Sequence, residues 1–521
     1  MKEDSRIIKD FNIFDSMKSI FSLLLTGSIF FSTAQNNMDP VFFGKSIQIE
    51  NLKKHLYLIA GPSFEGRETA TPGQRKAALY IENYFKSIGL KPGNHSSYQL
   101  SFPVYQDSLL SSSFHINGDS FEMRNHDYDL NIAATYSSSF GASDIVYGGY
   151  GISDSLRDDY KGLLTEGKVV MVLDGYPPEL LQEEIKRKNF NPYAKQDAAL
   201  RHGAVAVLVI REKLESNSLS DKGLMYRNLF QVKVRPNIFY ISERIARSIM
   251  GKDYDLTKPG SNQTKTFQAD AWLSVNKETK FMQSTDVLGY LEGTDLKDQL
   301  LVISAHYDHL GKKDSVIYFG ADDDGSGTVS LMEIASAFSK AKKEGKGPRR
   351  SILFLANSGE EKGLWGSEFY SDHPVYLMNR TTANLNIDMI GRKDPDRKKG
   401  DSNNYVYIVG DDKLSSDLHP ISVAANKKYT GLELDYKFND PEDPLRIYYR
   451  SDHYNFARKG VPIIFYFDGI HGDYHKPTDT PDKINYDLLL KRTLLVFYTA
   501  WEIANRNDIL KRNLPAIKDT R

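Results

Sequence analysis

The feature that most constrains the fold is an alternation of short apolar runs with helical stretches from Gln299 onward. The pattern predicts a helix at about residues 328–343 and strands at residues 300–304, 352–356, 383–387, 405–409 and 462–467. Strands that alternate with helices indicate an α/β sheet that is covered by helices on both faces. We therefore predict the α/β class, with a mixed central sheet flanked by helices.

Two other regions have different patterns. Residues 53–93 look helical, with Ala77, Ala78, Ile81, Tyr84, Phe85 and Ile88 spaced by three or four before Gly89. Short apolar segments separated by turn residues follow, at residues 144–147, 168–173, 204–210 and 237–241. We predict one domain from residues 45–135 and 280–510, with a β-rich insert at residues 136–279.

Composition narrows the classes of function. The chain has 521 residues, and its 67 Lys and Arg residues against 68 Asp and Glu residues leave a net charge of −1. Such a chain has no overall basic field to attract phosphate backbones, so we predict no nucleic-acid partner. It contains no cysteine. Disulfides and thiolate nucleophiles are therefore excluded, and any metal must be held by His, Asp and Glu.

The N-terminus is typical of a signal peptide. An apolar run at residues 20–31 follows Lys18 and precedes Ser32-Thr33-Ala34, which offers a cleavage site before Gln35. We interpret residues 1–34 as this segment, with Met17 as the native start. The alternative is a buried N-terminal helix. No other run is long enough to span a membrane, so we expect an exported protein, periplasmic or extracellular.

Histidines and carboxylates follow the predicted strands. His306 and Asp308 come after the first strand, Glu360 and Glu361 after the second, and Asp388 after the third. An Asp322-Asp323-Asp324 triplet precedes the predicted helix, and His475 lies in a loop after the last strand. Taken singly, each has a structural explanation: a hydrogen-bonded histidine, a solvated Glu pair, or a capped helix N-terminus.

Together, these residues favour a metal site. Carboxyl ends of strands meet at one sheet edge, and like charges that converge there repel one another unless a positive charge lies among them. Nitrogen and oxygen ligands without sulfur suit zinc, with manganese or cobalt as substitutes. Two ions that share one carboxylate need five ligands. The five that we predict are His306, Asp323, Glu361, Asp388 and His475.

The ordered motifs resemble the secreted bacterial dizinc aminopeptidases, relatives of glutamate carboxypeptidase and the transferrin receptor. These motifs are His-x-Asp, Gly-Ala-Asp-Asp-Asp-x-Ser-Gly, Glu-Glu-x-Gly-Leu-x-Gly-Ser, Ile-Asp-Met and Tyr-His-x-Pro-x-Asp-Thr. The resemblance implies a zinc-exopeptidase-like fold and two zinc ions per chain. It implies that His306 and Asp388 hold one ion, that Glu361 and His475 hold the other, and that Asp323 bridges them.

The resemblance also implies the remaining roles. Glu360 would be the general base, Asp308 would orient His306, and the Asp323-Asp324 peptide bond would be cis. Residues 63–67 with the following helix are similar to the family's N-terminal catalytic segment. Residues 148–151 and 204–210 resemble its protease-associated domain. We interpret Arg450-Ser451-Asp452-His453-Tyr454 as supporting structure, and His309, His453 and His471 are not assigned as ligands.

These features predict an aminopeptidase that acts on peptides. A two-metal site activates water, and Glu360 moves its proton, with no covalent intermediate. Met389 and Tyr474, each beside a ligand, are expected to help form an apolar pocket for the first side chain. A carboxypeptidase is an alternative, because Arg392, Arg446 and Arg450 could grip a substrate carboxylate. A one-zinc glutaminyl cyclase and a non-catalytic receptor are two further alternatives.

Overall fold

The computed structural model describes residues 40–132, 135–155, 157–177, 180, 193–214, 222–229, 234–257 and 264–515. The predicted signal segment lies outside these residues. The helices are α1 Pro40–Gly44, α2 Ile49–Ile59, α3 Pro72–Ile88, α4 Ala194–Arg201, α5 Glu243–Met250, α6 Gly327–Lys343, α7 Trp365–Asp372, α8 Leu418–Ala425, α9 His453–Ala457 and α10 Tyr486–Asn505. In these parts of the chain, no helix is both long and apolar enough to cross a membrane.

The strands are β1 Lys91–Pro92, β2 Gln99–Ile116, β3 Asp119–Phe121, β4 Tyr128–Leu130, β5 Ser138–Tyr147, β6 Val169–Leu173, β7 Ala206–Ile210, β8 Lys222–Tyr226, β9 Asn237–Ile241, β10 Lys265–Leu291, β11 Leu296–His306, β12 Lys312–Lys313, β13 Val316–Ile317, β14 Arg350–Asn357, β15 Thr381–Ile387, β16 Tyr405–Val409, β17 Glu433–Asp435 and β18 Ile463–Phe467.

The strands of the C-terminal half form a mixed sheet. Its order is β17-β16-β18-β15-β11-β14-β10. Strand β11 is parallel to β14 and β15, and β15 is parallel to β18, whereas β16 and β10 pair antiparallel with β18 and β14. The mixed α/β fold predicted from the alternation is therefore confirmed.

Helices cover both faces of this sheet. Leu301 and Ile303 of β11 pack in one core with α2, α3, α6 and α10, whereas Leu300 and Val302 pack in a second core with α7 and α9. Successive side chains of a strand point to opposite faces, so a strand that is buried on both faces reads as a continuous apolar run. This geometry explains why strand β11 could be predicted from the sequence.

The helical pattern at residues 53–93 is split, which the sequence prediction missed. Helix α2 ends at Ile59 and α3 begins at Pro72. Gly61 and Pro62 interrupt the pattern because proline cannot continue a helix. Thr71 caps α3, since its side chain accepts a hydrogen bond from the backbone N–H of Gln74.

A second unit extends the sheet. Strands β5, β6, β7 and β9 are parallel neighbours, and the antiparallel β2 and β10 ladder connects them with the larger unit. The core of the second unit also includes residues between Phe114 and Leu130, before the boundary predicted at residue 136. Strand β10 continues through the boundary predicted at residue 280. The protease-associated character of this unit stays a prediction.

Candidate active site

The candidate site lies at the carboxyl edge of three neighbouring parallel strands. Strand β11 ends at His306, β14 ends three residues before Glu360, and β15 is followed directly by Asp388. Parallel pairing brings these three ends to the same edge, where ligand sites form in open α/β sheets.

One group of metal-compatible side chains surrounds His306. Its Nε2 lies 3.3 Å from Asp323 Oδ1 and 3.5 Å from Asp388 Oδ1. All three residues are buried. The Nε2 atom has no hydrogen-bond partner among the described residues. The three atoms therefore face a common point, as ligands of one ion would.

A second group shares Asp323. His475 Nε2 lies 3.0 Å from Glu361 Oε2 and 3.2 Å from Asp323 Oδ2. His309 Nδ1 lies 2.7 Å from Glu361 Oε1 and 3.9 Å from Asp323 Oδ2. Asp323 thus directs one oxygen to each group. The structure brings together all five predicted ligands, and it adds His309, which the sequence prediction left unassigned.

The negative charges of these buried carboxylates favour a bound cation. Burial lowers the pKa of His475, but Asp323 and Glu361 outweigh it and raise the pKa to about 10. Burial likewise lowers the pKa of His306, yet Asp388 and Glu360 raise it well above its ordinary value. Without a metal, the carboxylates thus require protons on the imidazoles. A divalent cation supplies the same positive charge, so the donors fit a metal.

Glu360 lies beside the first group. Its Oε2 is 3.9 Å from His306 Nε2, and 11% of its side chain is exposed, against 3% for Glu361. Burial raises the pKa of Glu360 well above its ordinary value, and the charges of Asp388 and Glu361 add to this, although His306 opposes it. The adjacent glutamates therefore face different surroundings.

Asp308 lies beside Nδ1 of His306, the ring nitrogen through which the resemblance implies that it orients the imidazole. The atom nearest to His306 Nδ1 is the backbone oxygen of Asp308, at 3.1 Å, whereas its Oδ1 is 3.7 Å away. The carboxylate instead accepts hydrogen bonds from the Thr69 hydroxyl, at 2.7 Å, and from the Glu360 backbone N–H, at 3.3 Å. Asp308 thus orients His306 through its main chain and positions the Glu360 turn through its side chain.

The outer aspartates of the triplet hold the backbone around Asp323. Asp324 accepts hydrogen bonds from the backbone N–H groups of His306 and Met389, at 3.2 and 3.1 Å. Asp322 accepts one from the backbone of Gly391, at 2.7 Å. The Asp323-Asp324 peptide bond is cis, as the resemblance implies.

Asp479 also positions Asp323, and the sequence prediction gave Asp479 no role. Its Oδ2 accepts hydrogen bonds from the backbone N–H groups of Asp322 and Asp323, at 2.9 and 3.2 Å. The signal was present in the Tyr-His-x-Pro-x-Asp-Thr block, where Asp479 follows the predicted ligand His475 by four residues. The groups that the Asp479 side chain contacts depend on how that loop folds.

A pocket opens beside Glu360 and Asp388. Its apolar wall consists of Met389, Ile447, Phe465, Phe467 and Ile470. Arg450 and Tyr474 also line it, and the Arg450 guanidinium donates a hydrogen bond to the Tyr474 hydroxyl at 3.1 Å. Met389 and Tyr474 therefore lie in the pocket wall, as the sequence predicts for a pocket next to the ligands.

The three arginines that could serve a carboxypeptidase have different environments. Arg392 pairs with Asp473 at 2.9 Å and lies 3.7 Å from Asp479. The Arg446 guanidinium stacks over the Tyr449 ring. Arg450 is the member of this set that lines the pocket.

Residues 286–500 match the model of Peptidase family M28. The chain is 29% identical over 217 residues to a probable leucine aminopeptidase of Arthroderma otae, covering 40% of this chain and 56% of that one. It is 37% identical over 117 residues to a probable glutamate carboxypeptidase of Arabidopsis thaliana, covering 22% and 16%. This part of the chain is therefore similar to metallo-exopeptidases of the M28 family.

The fold also matches a solved structure. A zinc aminopeptidase from Bacillus subtilis superimposes with a TM-score of 0.51 at 20% identity, covering 90% of this chain and 97% of that one. At that identity the likeness concerns the fold alone. The chain spans 12–56% of the length of the curated relatives it matches first, so its activity as a whole protein is a matter for proposal.

Proposed function

We propose that the chain is a two-zinc aminopeptidase that hydrolyses the N-terminal peptide bond of peptides. The observation that carries the proposal is the sharing of Asp323 by two donor groups next to Glu360 and an apolar pocket. His306 and Asp388 would hold one ion, and Glu361 and His475 the other. Such ions would supply the positive charge that acidifies a water molecule and polarises the scissile carbonyl.

Glu360 acts as the proton carrier in this proposal. Its carboxylate accepts a proton from the attacking water and returns it to the leaving amine, so no covalent intermediate forms. Two contacts support the assignment. The backbone of Glu360 is held by Asp308, and its side chain is more open toward the pocket than that of Glu361.

The pocket suggests which end of the peptide binds. An apolar wall of Phe465, Phe467 and Ile470 suits an apolar side chain, and burial of such a side chain contributes about 1.5–3 kcal/mol. Asp323, Glu360 and Asp388 line the same pocket, so a residue bound there would lie next to the proposed metal centre. We therefore propose a preference for N-terminal residues with large apolar side chains.

A carboxypeptidase is the second candidate, because Arg450 lines the same pocket. In that case the guanidinium would grip the terminal carboxylate of the substrate. Against it, the Arg450 guanidinium already donates a hydrogen bond to the Tyr474 hydroxyl.

The test combines metal analysis with a substrate screen. Purified protein is loaded with zinc and assayed on leucyl, phenylalanyl, glutamyl and lysyl chromogenic amides, and on matched peptides with a blocked N-terminus or an amidated C-terminus. An aminopeptidase cleaves free-amine substrates, apolar ones fastest, and tolerates C-terminal amidation. Cleavage that tolerates N-blocking but requires a free C-terminal carboxylate would establish the carboxypeptidase instead.

We also propose that the protein is exported, because the apolar run at residues 20–31 precedes a signal-peptide cleavage site after Ala34. Protein recovered from its native host should then begin near Gln35. N-terminal sequencing tests this, and an intact N-terminus in cytoplasmic protein contradicts it.

A further inference from the structure

His309 is a buried polar residue that the proposed reaction does not use. Its side chain is fully buried, and neither ring nitrogen has a hydrogen-bond partner among the described residues. Burying a polar group without a partner is costly, so most buried polar atoms find one. The ring therefore needs an explanation beyond packing.

The Nδ1 atom of His309 lies close to Glu361 without forming a hydrogen bond. The distance to Glu361 Oε1 is 2.7 Å, yet both atoms remain without a hydrogen-bond partner, as does Asp323 Oδ2. His306 Nε2 shows the same combination toward Asp323 and Asp388. In both groups the atoms are close but are not directed at one another, which is the arrangement of ligands around one ion.

The backbone keeps the ring in this position. Gly320 packs against it so closely that a Cβ atom at residue 320 would lie 2.4 Å from His309 Cγ. The His309 N–H donates to the backbone oxygen of Arg67 at 3.3 Å, which anchors the residue from the other side. Little freedom remains for the imidazole to turn toward another partner.

We propose that His309 binds the second ion through Nδ1, as a sixth protein ligand beside Asp323, Glu361 and His475. The second ion would then have two imidazoles and two carboxylates, whereas the first has one imidazole and two carboxylates. His475 is 38% exposed, so His309 would be the inner, protected imidazole of the pair. The inference rests on the proposed metal centre but not on the identity of the substrate.

Two substitutions separate a ligand from a hydrogen-bond donor. His309→Asn keeps an N–H donor near the Nδ1 position but replaces the imidazole by a much weaker metal ligand. His309→Leu removes both. Metal affinity is measured by competition with a chromogenic chelator, and Co²⁺-loaded protein is compared by its visible absorption, which depends on coordination number and geometry.

If His309 is a ligand, both variants bind the first ion as wild type does and lose affinity for the second. The loss should be at least the 10- to 100-fold range that is typical when only an outer partner of a ligand is removed. The Co²⁺ absorption of the second site should also change in both variants. His55→Leu is the matched control, since it removes a buried histidine that pairs with Tyr80 and Glu333 instead, and it should keep both ions.

Unchanged affinity and absorption in His309→Asn overturn the proposal and leave His309 as a donor to Glu361. Unchanged values in His309→Leu overturn it as well, as does wild-type protein that binds fewer than two ions. Thermal unfolding of each variant identifies misfolding, and His309→Asn, the smaller change, then decides. Wild-type protein that binds two ions but cleaves no aminoacyl substrate refutes the proposed activity alone, because the metal titrations still test His309.

Discussion

Glu360 and Glu361 have the same chemistry and adjacent positions, yet their carboxylates meet different groups. Glu361 contacts His475 and His309, whereas Glu360 lies near His306 and lines the pocket. The turn that follows β14 directs the two side chains toward different neighbours. This difference is the basis for assigning one as proton carrier and the other as ligand.

We expect Glu360→Gln to lower kcat by about 10² to 10⁴, near the upper end because the same group also protonates the leaving amine. Glutamine keeps the size but cannot accept the proton, so both metals should remain bound. Glu361→Gln should instead weaken one metal site, with activity partly restored by excess zinc. Metal stoichiometry and rates of both variants decide this. Zinc loss in Glu360→Gln with retention in Glu361→Gln would reverse the assignment.

His453 predicts a pH dependence of stability. Burial lowers its pKa from 6.5 to about 3, although its hydrogen bond to the Tyr448 backbone oxygen, at 2.8 Å, opposes this shift. The unfolded chain takes up a proton below pH 6.5 that the folded chain excludes. The contribution of His453 to the free energy of unfolding is therefore fully present above pH 6.5. It is lost as the pH falls from 6.5 toward 3, by up to about 1.4 kcal/mol per pH unit.

His453→Gln should flatten this decline, because glutamine can donate to Tyr448 but does not titrate. Urea unfolding at pH 7, 6, 5 and 4 measures the slope in both proteins. His373→Gln, at an exposed position, is the control substitution. Equal slopes for wild type and His453→Gln would contradict the prediction.

At the scale of the elements, one arginine joins the segment between α2 and α3 to the site. Arg67 is fully buried, and its guanidinium donates to the backbone oxygens of Ile59, Tyr307, Phe319 and Gly320 at 2.7–3.0 Å. Tyr307 lies between His306 and Asp308, and Gly320 packs against the ring of His309. The segment that breaks the predicted helix thus has a structural function.

We expect Arg67→Met to lower the free energy of unfolding by about 3 kcal/mol or more, because four backbone oxygens lose a hydrogen-bond donor and each buried oxygen left without one costs about 1–3 kcal/mol. Urea unfolding checks this. Arg75→Met, at an exposed position of the next helix that donates to one backbone oxygen, should cost less than about 1 kcal/mol. Similar losses in the two variants would show that Arg67 has no special role.

At the scale of the whole molecule, the proposed metal centre would join the strand edge to loops from distant parts of the chain. The donors span His306 to His475, so ion binding should stabilise the larger unit. We expect about two zinc equivalents per chain, loss of activity on chelation, and a rise in unfolding free energy of about 2.7 kcal/mol per site when free zinc exceeds Kd about 100-fold. Calorimetry with and without chelator measures it. Full activity with one equivalent would contradict the two-ion proposal.

Much of the site could be predicted because β11, β14 and β15 are largely buried strands that pair in parallel. The carboxyl ends of such strands meet at one edge, so the sequence predicts that His306, Glu361 and Asp388 lie together. Asp323 and His475 were predicted from the order of the motifs, and the structure brings them to the same edge of the sheet. The metal ligation itself stays a prediction at every one of these residues.

The sequence alone determined the class of the larger unit and the elements that carry its chemistry, because apolar periodicity and strand-end polarity are local properties. Only the tertiary structure decided which atoms face one another. Asp308 places its backbone oxygen beside His306, Asp479 holds the backbone of Asp323, and the imidazole of His309 lies next to Glu361. Such directions depend on how loops fold across long separations in the chain, and residue type carries no information about them.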